Sequence, residues 1–211
     1  MKSDTKSIGD IKAIRKIMEE SSRFLSLSGL SGVFAGVTAI AGALIAYFFI
    51  LDNGSIHYDE YFRNLPAEKT FSPGWQLIAD AAAVLVLSVL FSLWFSIKKA
   101  KKDGKHFWTP VSRRLLINLL IPLVTGGVFV FVLLLQNHVQ LIVPVFLIFY
   151  GLALVNAGKF TFGEIFYLGI LEIITGLVSA FVQGWDLIFW ILGFGILHII
   201  YGLAMFRKYE A

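Results

Sequence analysis

Residues 115–135 read LLINLLIPLVTGGVFVFVLLL. No charge interrupts the run, which as a helix is long enough to cross a hydrocarbon core of about 30 Å. Its apolar residues are too continuous for the alternating strands of a barrel, and open strands cannot cross lipid. Five further stretches are also apolar and near membrane length, with only isolated carboxylates in two of them: residues 27–51, 75–97, 139–156, 164–182 and 187–206. The expected fold is therefore all-α, a polytopic membrane bundle of six transmembrane helices forming one domain over residues 24–211.

Composition agrees with that reading. Of 211 residues, 57% are hydrophobic and 15% are charged, against about 25% charged in ordinary soluble domains. A soluble globular enzyme and a disordered chain are both excluded. Cysteine is absent, which removes disulfides, thiolate catalysis, Cys-ligated zinc, iron–sulfur clusters and covalent haem. The net charge of +4 does not indicate nucleic acid, because the basic residues border apolar spans, where they act as topology and headgroup signals.

Sixteen of the eighteen Lys and Arg residues fall on one side of the six spans. Lys2, Lys6, Lys12, Arg15, Lys16 and Arg23 precede the first span. Lys98, Lys99, Lys101, Lys102, Lys105, Arg113 and Arg114 lie between the second and third. Lys159 follows the fourth, and Arg207 and Lys208 follow the sixth. Only Arg63 and Lys69 lie opposite. The positive-inside rule puts both termini in the cytoplasm and the acidic segment 52–74 outside. Trp75, Trp185 and Trp190 then fall at the outer boundary, and Trp94 and Trp108 at the inner one, as an interfacial belt requires. Residues 1–23 carry Ile8, Ile11, Ile14, Ile17 and Met18 at roughly helical spacing among Lys and Arg. They are expected to form a cytoplasmic amphipathic helix lying on the inner leaflet, either an anchor or a device for sensing lipid or docking a partner.

Two features concern packing. Ser28, Gly32 and Gly36 recur every four residues in the first span. Such small residues allow close helix approach within the chain or, alternatively, in a homo-oligomer through Gly32 and Gly36. The last four spans also look duplicated. Residues 123–128 (LVTGGV) resemble 173–178 (IITGLV), and 150–154 (YGLAL) resemble 201–205 (YGLAM). The order is conserved between the copies, so spans three–four and five–six are expected to form a parallel repeat of helix hairpins.

Ionisable groups inside a span are costly and therefore become functional candidates. Asp80 is near the outer start of span two, where the helix N-terminus favours a carboxylate. Glu164 opens span five three residues after Thr161, the spacing of a capping box. Glu172 lies deeper, about 12 Å into span five, on a stripe with Gly169, Thr175, Gly176 and Ser179. Glu172 and His198 are each thirteen residues from Trp185 in the outer turn, so an antiparallel hairpin puts them at one depth. They are expected to pair, either as a polar staple or as a proton-relay or ion-coupling site, with Thr175, Ser179 and Asp80 as further members of the candidate polar set. In the preceding hairpin, Asn118 and Asn156 match in depth, as do Thr125 and Tyr150. Pro122 can free a backbone carbonyl nearby. These residues would line an inner vestibule if they do more than pack. Lys98, Lys99, Lys101, Lys102, Lys105, Arg113 and Arg114 are candidates for lipid-headgroup binding.

No phosphate-binding loop, dinucleotide fingerprint, metalloprotease motif or nucleophile elbow occurs, and the four histidines are scattered. No catalytic residue, metal or cofactor is therefore assigned. Residues 14–32, IRKIMEESSRFLSLSGLSG, resemble the opening of an uncharacterised family of small integral membrane proteins common in Bacteroidetes. The resemblance covers this N-terminal part and the span count. It implies a multi-pass protein of a bacterial inner membrane and carries no activity. Two function classes follow from the residues. One is a membrane scaffold or sensor holding a lipid or a cytosolic protein. The other is a transporter or channel for a small solute or ion, with Glu172 and His198 in its pathway.

Overall fold

The computed structural model describes residues 24–51, 71–136 and 138–211. The amphipathic segment 1–23 and most of the acidic outer segment lie outside the described residues. Six helices are long and apolar enough to cross a membrane: α1 Gly29–Ile50, α2 Phe71–Lys102, α3 Pro110–Leu135, α4 Val139–Gly158, α5 Gly163–Phe181 and α6 Asp186–Tyr209. Among the described residues there is no strand.

Local chemistry sets where these helices start and stop. α3 begins five residues before its uncharged run because Thr109 and Ser112 form a capping box and Pro110 takes the first helical position. α2 continues past its apolar stretch through Lys98–Lys102, reaching about 48 Å at helical rise, so its last turns stand clear of the hydrocarbon. Gly184, with φ of 89°, makes the tight outer turn into α6. The expected Thr161–Glu164 capping box does not form. The Thr161 hydroxyl instead donates to the Phe24 carbonyl at 2.7 Å, and Glu164 turns to Lys208 and Tyr209. The entry segment of α1 had claimed the hydroxyl first.

The helices form an arc in the spatial order α2, α1, α6, α5, α4, α3, in which the amino-terminal half of α6 also reaches α4. α2 buries none of its most apolar stretch inside the protein, and large apolar side chains such as Phe49, Leu85, Val128 and Phe181 are exposed. That coat suits lipid and would be untenable in water. Glycines set the closest approaches. A Cβ on Gly36 would lie 2.5 Å from the Gly195 carbonyl oxygen of α6, and one on Gly202 would lie 2.6 Å from that of Gly29. The small-residue face of α1, Gly32 and Gly36 included, packs against α6 of the same chain, the first of the two packings that the spacing allows. The repeated motifs use their glycines alike but against different partners. Gly126 and Gly176 both abut α4, at Phe149 and Ile148, whereas Gly151 abuts α5 and Gly202 abuts α1.

At the end of the bundle where Phe24 bonds to the Phe160 carbonyl, Glu210 caps α1. Its carboxylate accepts from Gly29 N at 2.6 Å, Ser28 Oγ at 3.1 Å and Lys99 Nζ at 3.3 Å. Lys99 also donates to the Leu27 carbonyl at 2.8 Å. Three helices are thus tied together through one carboxylate, which sits at the positive end of the α1 dipole.

Candidate functional site

On α5, Leu168, Gly169, Glu172, Thr175, Gly176 and Ser179 are buried, while Tyr167, Leu171, Ile174 and Val178 face outward. Helical periodicity therefore delivers Glu172 to the interior, where its exposure is zero. Opposite it, α6 abandons α-helical register. Residues Ile191–Leu197 form a π-helical segment that ends at His198. Such segments shift the backbone hydrogen bonds by one residue and are frequent at functional sites. Gly193 within it makes room for the carboxylate: a Cβ there would lie 2.7 Å from Glu172 Oε2.

His198 Nδ1 lies 3.3 Å from Glu172 Oε1 and 3.1 Å from the Gly193 carbonyl oxygen. A carbonyl can only accept, so Nδ1 carries hydrogen. That hydrogen is directed at Gly193, and the approach to Glu172 is a close charge contact rather than a hydrogen bond. Among the described residues neither carboxylate oxygen of Glu172 has a hydrogen-bond partner. On the other edge of the imidazole, Nε2 is 2.7 Å from the Tyr150 hydroxyl of α4. With hydrogen on Nδ1, Nε2 of the neutral ring accepts and Tyr150 donates. Phe194 and Trp190 pack beside this trio.

The other candidate residues lie elsewhere. The Thr175 hydroxyl donates to the Leu171 carbonyl of its own helix at 2.8 Å. Ser179 is fully buried two turns from Glu172, and its hydroxyl has no hydrogen-bond partner among the described residues. Asp80 is on the seam between α2 and α1, where a Cβ on Gly42 would be 3.3 Å from its Oδ2. The four residues expected to line an inner vestibule have other hydrogen-bond partners or lie half-buried. Asn118 donates to the Arg114 carbonyl, Thr125 is exposed and donates to the Ile121 carbonyl, and Asn156 is half-buried on α4. α3 meets α4 through Gly126, Val130 and Leu133, which leaves Tyr150 turned toward α6. Of the basic candidates, Lys98, Lys101, Lys102, Lys105, Arg113 and Arg114 are exposed, but Lys99 is drawn into the Glu210 cluster. No cluster of three metal-ligating side chains occurs among the described residues.

Sequence reasoning had assigned Tyr150 to the vestibule and missed its bond to His198. The signal was present in the spacing. Tyr150 is thirteen residues from position 137, the centre of its own outer turn, as Glu172 and His198 are from Trp185. All three side chains share one depth. The neighbourhood of α4 and α6, which are not consecutive, is what local sequence does not reveal.

Compared with protein-family models, curated proteins and solved structures, the chain matches none.

Proposed function

We propose that this protein is a transporter or channel for a small solute or ion in a bacterial inner membrane, and that Glu172, His198 and Tyr150 form the polar site of its pathway. One observation carries the reading: a fully buried carboxylate faces a buried imidazole, with no hydrogen bond to either carboxylate oxygen among the described residues. A purely structural staple would satisfy its polar atoms, because an unsatisfied buried group costs about 1–3 kcal/mol. A site that takes up and releases an ion has to leave such capacity open. The π-helical turn and Gly193 keep this carboxylate in place at the α5–α6 seam.

The test is ion flux in proteoliposomes, followed for H⁺, Na⁺ and K⁺ in turn. The wild-type protein should pass at least one ion faster than protein-free vesicles do, and Glu172→Gln should lose that flux while keeping its elution profile in detergent. Equal flux in the two proteins would overturn the reading.

The exposed basic side chains around the α2–α3 turn support a second reading, that of a scaffold or sensor holding anionic lipid or an acidic cytosolic partner. Lys98 lies over the Trp94 ring at 5.5 Å. Each such charge near a membrane surface contributes about 1 kcal/mol toward anionic lipid. The same vesicles separate the readings, since a scaffold retains anionic lipid selectively and moves no ion.

A further inference from the structure

We propose that the ion exchanged at this site is the proton, passed along Tyr150, His198 and Glu172, and that the Tyr150 hydroxyl, besides carrying the proton, selects the His198 tautomer. The inference rests on the transport reading above and deepens it.

The donor set argues against a metal cation. A hard cation such as Ca²⁺ needs about six to eight oxygen ligands. Here one carboxylate and the Gly193 carbonyl are the oxygens beside His198 Nδ1, and the N–H itself opposes a cation between them. The same arrangement suits a proton. Oη to Nε2 is 2.7 Å and Nδ1 to Oε1 is 3.3 Å, so a single imidazole lies between the phenol it is hydrogen-bonded to and a carboxylate that its Nδ1–H reaches by turning from the Gly193 carbonyl.

The transfer balances. A proton arriving at Tyr150 Oη releases that hydroxyl's own proton to Nε2. The Nδ1 proton passes to Glu172 Oε1. Two bonds to hydrogen break, at Oη and Nδ1, and three form, at Oη, Nε2 and Oε1, the third using the incoming proton. The loaded site is a neutral phenol, a neutral imidazole with hydrogen on Nε2, and a carboxylic acid. The Glu172 proton leaves as the product of the cycle. The imidazole then tautomerises to its Nδ1–H form, breaking the N–H bond at Nε2 and forming one at Nδ1 with no net change in hydrogen, which resets the chain. The Tyr150 hydroxyl bond and the Gly193 carbonyl both favour that form, which returns the donor to the Glu172 edge. Around the trio, Tyr201 is the further titratable group, packed with Tyr150 and Leu197 against Leu154, Ile165 and Leu168. From α1, a Cβ on Gly32 would lie 3.2 Å from the His198 carbonyl oxygen, and from α4 Leu147 meets Gly193 on the side that Glu172 occupies.

Two readouts on the full chain test this. Vesicles containing a pH-sensitive dye, with potential clamped by valinomycin and potassium, report proton flux, and parallel vesicles report sodium flux. Wild type should move protons and not sodium. Glu172→Gln should slow proton flux about a hundredfold, the scale of a lost proton-transfer group. Tyr150→Phe should slow it on the same scale, because it removes the hydroxyl that hands its proton to Nε2. The second readout is the ¹⁵N spectrum of His198 in a chain whose His57, His106 and His138 are replaced by Gln. Tyr150→Phe should convert a single Nδ1–H tautomer into a mixture, which a merely structural loss would not do. Sodium flux without proton flux would overturn the proton assignment and leave the transport reading standing. Unchanged proton flux and an unmoved tautomer in Tyr150→Phe would overturn the relay. Absence of flux for both ions would remove the transport reading and this inference together.

Discussion

His198 keeps both its hydrogen bonds, to the Gly193 carbonyl and the Tyr150 hydroxyl, whether or not Glu172 is present. The carboxylate, in contrast, has no hydrogen bond among the described residues. Removing it therefore leaves no orphaned donor on the imidazole and relieves the cost of a buried, poorly solvated group. Replacing a buried polar group that has no hydrogen-bond partner by an apolar side chain of similar volume is nearly neutral or stabilising. Glu172→Met should accordingly unfold in detergent at a midpoint equal to or above wild type, while losing ion flux. A midpoint lowered by the equivalent of about 3 kcal/mol or more, the usual cost of breaking a buried pair, would mean that the carboxylate holds α5 to α6 and would argue for the staple. Stability and flux should move in opposite directions only if the charge is kept for function.

Between elements, the closest contacts are backbone on backbone. A Cβ on Gly151 would lie 2.6 Å from the Gly169 carbonyl and 2.8 Å from Ile173 N, atoms that cannot rotate away. Gly127 has nothing within 4 Å of the same position. Gly151→Ala should therefore cost about 1–3 kcal/mol through overpacking, whereas Gly127→Ala should gain up to about 1 kcal/mol of helix propensity. Thermal unfolding of the two variants in one detergent compares them directly, and equal midpoints would show that glycine approach does not hold α4 on α5. Hydropathy made the existence of all six helices legible, because twenty apolar residues in a row leave lipid as the solvent. It was blind to the features that act at their ends and breaks. The capping by Thr109 and Ser112 lengthened α3, the Thr161 hydroxyl was taken by a residue far away in sequence, and the π-helical turn in α6 depends on what packs against it. The depth of Glu172 and His198 could be counted from one turn. That α4 also borders α6 could not, because the arc is closed by tertiary packing.

For the whole molecule, the arc and the charge asymmetry must agree. The structure brings Phe24, Lys99, Phe160, Glu164 and Glu210 to one end of the bundle through the Phe24–Phe160, Lys99–Glu210 and Glu164–Lys208 contacts, and those segments carry the basic surplus of the sequence. The opposite end holds the turns around Gly184 and His138. The positive-inside rule therefore predicts that the end with Lys105 is internal and the end with Gln183 external. Because the chain has no cysteine, a single introduced thiol reports its own location with no background. Both positions are exposed, so labelling depends on sidedness rather than on burial. In intact bacterial cells a membrane-impermeant maleimide should label Gln183→Cys and leave Lys105→Cys unmodified until the membrane is permeabilised. The reverse pattern would invert the protein in the membrane and, with it, the direction from which a proton reaches Tyr150. Labelling of both in intact cells would mean that the two ends are not separated by a bilayer, and six apolar helices would then need another solvent.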